Sequence, residues 1–216
     1  EFCQEYGIEY ALCGKVIVAT NERELAGLDV LYERGTANGV RGLRMIAAEE
    51  LKEMEPHVRG LKALHSPNTG IIDYAQVTLA YADRFRNNGG EVLTGARVRG
   101  IRHADGLINM ETDRGVVSAN HLINCAGLYS DVIARMMGVK DGVRIIPFRG
   151  EYYMLSQEAS HLVRGLIYPV PNPEFPFLGV HFTKTIHGDV EAGPNAVLAF
   201  AREGYKMASV NVAETM

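Results

Sequence analysis

The stretch Leu122–Asp131 has the residue types of a ligand contact at the end of a strand. Three small residues, Cys125, Ala126 and Gly127, follow an apolar run and precede a predicted helix. Small side chains let the backbone approach a flat or charged ligand closely, and a helix N-terminus favours an anion. The stretch therefore predicts a cofactor contact, although tight packing between a strand and a helix would use the same residues.

The usual glycine-rich partner of such a contact does not occur in this sequence. A dinucleotide-binding fold normally begins with G-x-G-x-x-G between its first strand and first helix. The chain has 23 glycines, and no two of them are separated by a single residue. Two explanations stay open: the site is of another kind, or the chain is a portion of a larger protein.

His181 is the side chain best suited to proton transfer, because a neutral imidazole exchanges protons near neutral pH. It stands in the apolar stretch Leu178–Thr183, where a histidine is also a common hydrogen-bonded core residue. Both interpretations stay open. The other histidines fall in predicted turns or on polar faces without metal-ligand spacing, and no metal site is predicted: His57, His65, His103, His121, His161 and His187.

The cysteines indicate a reducing compartment. Cys3, Cys13 and Cys125 form an odd set without a C-x-x-C pair, which fits a cytoplasmic protein better than a disulfide scaffold. Cys125 is expected to be a small buried residue rather than a reactive thiol, because no neighbour in sequence would stabilise a thiolate.

Composition excludes several classes of function. Hydrophobic residues make up 47% and charged residues 22% of the chain, as in globular proteins, and the net charge is −4. No basic excess points to nucleic acid or to an anionic membrane surface. No apolar run approaches the roughly 18 residues that a membrane span needs, so no transmembrane segment is predicted. An acidic substrate would need local basic groups.

Hydrophobic periodicity and turn residues predict a mixed, partly antiparallel α/β fold. The predicted helices cover Asn21–Asn38, Met45–Met54, Ala75–Asn88 and Leu128–Met137. A hairpin is predicted over Gly60–Ile72, with its turn at Pro67–Gly70. A β-meander is predicted over Glu91–Leu93, Ala96–Ile101, Leu107–Thr112 and Val116–Val117. The remaining strands are predicted at Lys15–Thr20, Asn120–Asn124, Tyr152–Leu155, Leu166–Pro169, Leu178–Phe182, Asp189–Ala192 and Val197–Phe200, with a turn at Gly193–Ala196.

Several blocks carry a family resemblance. Leu122–Asp131, Phe148–Tyr153 and Phe175–Tyr205 resemble the FAD-dependent oxidoreductases of the D-amino-acid oxidase and glycerol-3-phosphate dehydrogenase superfamily. Within it, the sequences YPVP, FPFLGVHFT and GPNAVLAFAREGY are similar to the L-2-hydroxyglutarate oxidase/dehydrogenase family. The likeness covers residues 2–205. Because members open with a glycine-rich FAD motif and close with a further cofactor segment, the resemblance implies an internal fragment.

The resemblance implies FAD as the cofactor and a small 2-hydroxy acid, L-2-hydroxyglutarate, as the substrate oxidised to 2-oxoglutarate. His181 would then be the catalytic residue that removes the hydroxyl proton. The implied substrate contacts are Arg149, Tyr152, Thr183 and Asn195. The implied cofactor contacts are Val98, Cys125, Ala126, Gly127 and Gly150. Val98 would be a sheet-core valine at the same time. One simpler alternative stays open: Arg149 as a surface residue paired with Glu151 or Glu174.

The resemblance also implies a domain plan in which residues 1–72 and 148–205 build a substrate domain with a mixed, largely antiparallel sheet. Residues 73–147 would belong to the FAD-binding domain with the β-meander, and 206–216 would form a C-terminal stub. Oxygen or a membrane quinone would accept the electrons, and a quinone acceptor would imply peripheral contact with the inner membrane. The resemblance is also compatible with an oligomer. Two alternatives remain: a sister flavoenzyme acting on an amino acid or glycerol 3-phosphate, and a catalytically silent folding or binding module.

Overall fold

The computed structural model describes residues 1–140, 142–175 and 177–211. The helices within these ranges are α1 Phe2–Glu5, α2 Glu22–Ala37, α3 Ala48–Met54, α4 Tyr74–Asn87 and α5 Ser130–Met136. The strands are β1 Tyr10–Ala11, β2 Lys15–Ala19, β3 Arg44–Ala47, β4 Lys62–Ser66, β5 Ile71–Ile72, β6 Val98–Ala104, β7 Leu107–Thr112, β8 Gly115–Ala119, β9 Phe148–Met154, β10 Leu166–Pro169, β11 His181–Lys184 and β12 Val190–Leu198. This mixed α/β content confirms the predicted fold class.

The largest sheet has the strand order β3-β4-β2-β10-β11-β12-β9. Strands β2 and β10 run parallel, whereas β3–β4, β4–β2, β10–β11 and β11–β12 pair antiparallel. The parallel pair joins residues about 150 positions apart in sequence, since Lys15 lies beside Leu166. A mixed, largely antiparallel sheet is therefore confirmed.

Both faces of this sheet carry a core. Along β2 the side chains alternate, so Val16 and Val18 lie on one face while Ile17 and Ala19 lie on the other. Helix α3 packs its Leu51 against the first face. Helix α2 covers part of the second face with the fully buried Leu28. The second face also carries Lys15, Leu166 and Thr183, because Lys15 pairs with Leu166 and Leu166 pairs with Thr183.

Local sequence signals fix the ends of two elements. The Asn21 side chain caps α2 by accepting hydrogen bonds from the amides of Arg23, at 3.1 Å, and Glu24, at 3.3 Å. The buried Glu55, just after α3, accepts from the amides of Arg164, at 3.0 Å, and Gly165, at 2.7 Å. Glu55 therefore anchors the chain where β10 begins.

Two predictions for residues 45–72 are wrong. The predicted helix from Met45 begins only at Ala48, because Ile46 is buried in β3 opposite Ala63 of β4. The predicted hairpin over Gly60–Ile72 does not form either. Strand β4 pairs with β2 and β3, and β5 pairs instead with β1. Pairing with strands distant in sequence therefore replaces the predicted pairing of β4 with β5.

The β-meander is confirmed for β6, β7 and β8, which form a three-stranded antiparallel sheet. The predicted strands at Glu91–Leu93 and Asn120–Asn124 are wrong. Extended residues become a strand only when a neighbour pairs with their amides and carbonyls. Ile123 is 84% exposed, and the sheet does not extend to this segment in the described chain. The following helix begins with a 3-10 turn at Gly127–Tyr129 and continues as α5.

The predicted turn at Gly193–Ala196 is also wrong, because these residues lie inside β12, with Gly193 opposite His181. A Cβ atom on Gly193 would lie 2.6 Å from Cδ1 of Tyr152, closer than real carbon contacts allow. Glycine at position 193 therefore allows the Tyr152 ring to pack closely against the strand.

The prediction that His65 lies on a polar face or in a turn is also wrong, because His65 is buried on β4.

The chain divides into two compact units. Unit 1 contains Glu1–Tyr81 and Gly150–Ala196, and unit 2 contains Ala82–Arg149 and the chain from Val197 onward. The assignment of substrate and FAD binding to particular segments stays a prediction, and the predicted C-terminal stub lies partly outside the described residues. Among the described helices, none combines the length and apolar character needed to cross a membrane.

Candidate functional site

Unit 1 holds the predicted catalytic histidine in an aromatic cluster. His181 is buried, and its ring stacks on the Tyr168 ring with centroids 4.1 Å apart and an interplanar angle of 18°. The ring of Tyr152 meets His181 edge-on at 6.4 Å. These contacts fix the plane of the imidazole, as both a core residue and a proton acceptor would require.

One hydrogen bond assigns the tautomer of His181. Its Nδ1 lies 3.0 Å from the carbonyl oxygen of Gly179. Because a carbonyl can only accept, Nδ1 carries the proton in the neutral ring, and Nε2 keeps the lone pair. The backbone of the same strand segment thereby prepares the imidazole to act as a base through Nε2.

Tyr152 is held by two glycines. A Cβ atom placed on Gly150 would lie 3.2 Å from Cε2 of the Tyr152 ring, and one placed on Gly193 would lie 2.6 Å from Cδ1 of the same ring. Burial raises the pKa of the Tyr152 phenol, and the neighbouring Glu191 and Tyr168 add to the effect. Tyr152 therefore stays a neutral hydrogen-bonding group, as its predicted substrate contact requires.

A cleft of about 440 Å³ opens within unit 1 on the sheet face that carries Leu166 and Thr183. Thr183, a predicted substrate contact, is part of its wall, together with Tyr168. The wall also includes Lys15, Thr69, Gly70, Ile71, Ile72, Asp73, Tyr74, Leu166, Lys184, Thr185, Ile186 and His187. This volume lies within the roughly 300–1,000 Å³ of typical small-molecule sites.

The cleft combines two cations, Lys15 and Lys184, with polar groups. Nζ of Lys15 lies 5.0 Å from the centroid of the Tyr168 ring, a cation–π contact. Asp73 caps α4 by accepting from the Ala75 amide at 2.8 Å, and this bond holds the pKa of Asp73 below its usual value. The buried hydroxyl oxygen of Thr185 has no hydrogen-bond partner among the residues that the structure describes. The cleft can therefore hold a polar, anionic molecule.

The described wall of this cleft does not include His181 or Tyr152, although Tyr168, on which His181 stacks, belongs to it. Three further predicted residues lie elsewhere. Asn195 is exposed on β12 and is not part of the described cleft wall, and Gly150 is exposed next to Pro194. Arg149 belongs to unit 2, where its Nη1 donates to the carbonyl of Gly204 at 2.9 Å. Their predicted roles at substrate and cofactor stay predictions.

Unit 2 contains a second cavity, of about 420 Å³, which brings together two of the predicted cofactor contacts. Val98 of β6 and Ala126 both line it, although 28 positions of sequence separate them. The rest of the wall consists of Arg97, Tyr129, Val132, Ile133, Met136 and Glu203. Cys125 and Gly127 flank Ala126 and are exposed, so the expectation that Cys125 is buried is wrong. The predicted strand at Asn120–Asn124 does not form in the described part of the chain, so Cys125 is not packed behind a sheet.

A buried ion pair supports the wall of this cavity. The guanidinium of Arg202 donates to both carboxylate oxygens of Asp131, each at 2.7 Å, and also to the carbonyl of Leu128. The side chains of the pair are only 6% and 3% exposed. The Tyr129 ring, which lines the cavity, lies 5.6 Å from both the Arg202 and the Arg97 guanidinium carbons. The pair thus fixes the aromatic side chain.

The cavity in unit 2 fits the chemistry of an adenine-containing cofactor. Its aliphatic walls and the Tyr129 ring accept a flat heteroaromatic group, and Arg97 adds a positive charge. Gly127 has a left-handed backbone, with φ of 54°, and a Cβ placed there would meet nothing within 4 Å. The backbone beside the cavity is therefore open to a ligand.

Sequence reasoning missed several residues that these sites use. Lys15 enters the cleft only through the parallel pairing of β2 with β10, which no local pattern predicts. Arg202 and Asp131 are 71 positions apart. Two features of the sequence could have indicated these residues. Lys15 stands at the start of an apolar strand, and Asp131 and Arg202 lie within the blocks that carry the family resemblance.

Comparisons with known proteins agree with these features. Residues 1–214 match the protein family described as FAD dependent oxidoreductase. The chain is 51% identical over 214 residues to the L-2-hydroxyglutarate dehydrogenase of Indibacter alkaliphilus, covering 99% of this chain and 54% of that protein. It is 46% identical over 228 residues to the mitochondrial L-2-hydroxyglutarate dehydrogenase of Homo sapiens, covering 100% and 49%. The chain spans about half the length of these relatives.

A solved structure supports the same fold. Dithionite-reduced L-alpha-glycerophosphate oxidase from Mycoplasma pneumoniae, with FAD bound, superimposes with a TM-score of 0.78 at 25% sequence identity. The similarity covers 91% of this chain and 52% of that one.

Proposed function

We propose that this chain, which belongs to the FAD dependent oxidoreductase family, forms part of an enzyme that oxidises L-2-hydroxyglutarate to 2-oxoglutarate. The identity of 46–51% to L-2-hydroxyglutarate dehydrogenases supports this substrate. Because the chain spans about half of those proteins, the activity is proposed for the full-length protein that contains it.

The carrying observation is the arrangement around His181. A ring fixed by Tyr168 and by the Gly179 carbonyl presents Nε2 as a base. Oxidation of a 2-hydroxy acid removes a proton from the hydroxyl and a hydride from C2, leaving a carbonyl. FAD, when bound, supplies the hydride acceptor. His181 takes the hydroxyl proton on Nε2, which is general base catalysis.

The remaining residues would bind and orient the two molecules. Thr183, in the cleft wall, and Tyr152, edge-on to His181, are the proposed hydrogen-bonding contacts of the substrate. Arg149 and Asn195 are proposed as further substrate contacts. Proposed contacts of the cofactor are Val98, Cys125, Ala126, Gly127 and Gly150, of which Val98 and Ala126 line the cavity of unit 2.

The alternative is a sister activity on an amino acid or on glycerol 3-phosphate. The fold that this chain shares with L-alpha-glycerophosphate oxidase supports this alternative. For the electrons we propose oxygen or a membrane quinone as acceptor. A cytoplasmic protein that used a quinone would contact the inner membrane peripherally. An oligomer is compatible with either acceptor.

A substrate panel tests the proposal. The FAD-loaded full-length protein is supplied with an artificial electron acceptor and, separately, with L-2-hydroxyglutarate, its D isomer, glycerol 3-phosphate, glycine and L-proline. We expect turnover with the L-hydroxy acid and formation of 2-oxoglutarate. Preferred turnover of an amine or of glycerol 3-phosphate would replace the proposed function by the sister activity.

The cofactor cavity gives a separate prediction. Ala126→Leu adds three carbons to the wall that Ala126 shares with Val98. Because overpacking costs about 1–3 kcal/mol, we expect FAD to bind about 5- to 100-fold more weakly, as measured by flavin fluorescence during titration of the apoprotein. The matched control is Ala104→Leu, which adds the same carbons at an exposed position of β6. Equal FAD affinity in the two variants would contradict a cofactor site in this cavity.

A further inference from the structure

The cleft of unit 1 presents a cation that none of the proposed roles uses. Lys15 starts β2 beside Leu166 of β10, and Leu166 lies opposite Thr183 of β11. Paired residues of neighbouring strands point to the same face of a sheet, so Lys15, Leu166 and Thr183 form one row across the floor of the cleft. Lys15 forms no salt bridge with any described residue.

Tyr168 and His181 form the next row on the same face, two residues further along their strands. Two residues of a strand span roughly 7 Å, which is the spacing between the rows. The Tyr168 ring centroid lies 4.1 Å from the His181 ring and 5.0 Å from Nζ of Lys15, so both groups contact one aromatic ring. The base and the ammonium therefore lie beside the same aromatic ring.

The row spacing of roughly 7 Å matches a five-carbon 2-hydroxy dicarboxylic acid. C2, which carries the hydroxyl, and the distal carboxyl carbon C5 are about 4 Å apart when the chain is extended, and a hydrogen bond adds about 3 Å. With its hydroxyl at the His181 row, the far carboxylate of such a molecule reaches the row of Lys15 and Thr183. Asp73, the carboxylate in the cleft wall, is already engaged by the Ala75 amide and by Gln76.

We propose that Lys15, with Thr183 beside it, binds the distal carboxylate of the substrate and so selects dicarboxylic over monocarboxylic 2-hydroxy acids. This inference rests on the proposed function, because it assigns one end of the same substrate. The Tyr168 ring holds the Lys15 ammonium on the face of the cleft and excludes water from one side of it.

The test compares two substrates in the FAD-loaded full-length protein. L-2-hydroxyglutarate carries the distal carboxylate, and its 5-amide has the same shape without that charge. Lys15→Met keeps the length of the side chain and removes the ammonium. We expect kcat/KM for L-2-hydroxyglutarate to fall about 10- to 100-fold, the effect of losing one hydrogen bond to a charged group, with kcat/KM for the 5-amide unchanged within about threefold. Lys15→Arg should restore most of the preference.

The control variant is Lys62→Met, on neighbouring β4, whose ammonium lies 4.0 Å from Asp29 and outside the cleft wall. It should leave both substrates unaffected. An equal loss for the two substrates in Lys15→Met would overturn the inference, as would no loss for either.

A binding measurement separates this inference from the proposed function. Glutarate has both carboxylates but no hydroxyl, and pentanoate lacks the second carboxylate. Calorimetric titration should show that Lys15→Met weakens binding of glutarate and leaves that of pentanoate unchanged. If L-2-hydroxyglutarate were not oxidised while this pattern appeared, the proposed function would fail and the carboxylate site would stand. Equal binding of glutarate to wild type and Lys15→Met would overturn the site even in an active enzyme.

Discussion

His181→Asn is expected to lower kcat for L-2-hydroxyglutarate by about 100- to 10,000-fold, the usual contribution of a positioned general base. The asparagine amide can still donate to the carbonyl of Gly179, so the local backbone bond is kept while the basic Nε2 is lost. Steady-state kinetics on the FAD-loaded full-length protein measure the effect. FAD content and the far-UV circular dichroism spectrum should match those of the wild type.

The matched control for this variant is His187→Asn. His187 lines the cleft of unit 1, but its side chain is 67% exposed and lies 3.9 Å from Asp73. Its replacement should change kcat by no more than about threefold, because an exposed pair contributes little. A His181→Asn enzyme that kept more than a tenth of wild-type kcat would assign His181 a purely structural role under Tyr168.

Asp131→Ala is expected to produce the largest loss of stability. The carboxylate accepts two hydrogen bonds from the buried Arg202 guanidinium, and its removal takes both of them away inside the protein. Breaking a buried pair in this way costs about 3–5 kcal/mol of the free energy of unfolding. Urea denaturation of the full-length protein, followed by circular dichroism, measures the difference.

Arg135→Met supplies the control for Asp131→Ala. Arg135 contacts the same carboxylate at 3.0 Å, but its side chain is 48% exposed, so its loss should cost less than about 1 kcal/mol. The double variant Asp131→Leu, Arg202→Met removes both charges and should recover part of the stability lost in Asp131→Ala. A similar cost for Asp131→Ala and Arg135→Met would contradict the buried pair.

The same pair predicts a pH dependence. Hydrogen bonds from Arg202, and then from Arg135 and the Ile145 amide, hold the pKa of Asp131 well below its usual range. Because the folded-state pKa lies below the unfolded value of about 3.9, the stabilising contribution is complete above that pH. It is lost as the pH falls toward the folded-state pKa. The stability difference between wild type and Asp131→Ala should therefore shrink below about pH 4.

Local signals in the sequence predicted the elements that local interactions stabilise. Helix α2 begins where Asn21 can cap it, and the turn at Asp105–Gly106 joins β6 to β7 with positive φ values of 54° and 75°. Alternation correctly placed β2, β7 and β10. In each case the residues that determine the structure are neighbours in sequence.

Pairings between distant segments could not be read in this way. Ile46 belongs to a strand rather than a helix because β4 lies beside it, and Gly193 belongs to a strand because Tyr152 packs on it. Lys15 became a candidate only once β2 lay beside β10. His181, in contrast, was chosen from its residue type and the family resemblance, and the structure then supplied its aromatic partners and its tautomer.

Anaerobic single-turnover titration of the FAD-loaded full-length protein tests the central claim most directly. Each equivalent of L-2-hydroxyglutarate should reduce one equivalent of flavin, seen as a loss of absorbance near 450 nm, and yield one equivalent of 2-oxoglutarate. D-2-hydroxyglutarate should leave the absorbance unchanged. A flavin that dithionite reduces but L-2-hydroxyglutarate does not would contradict the account.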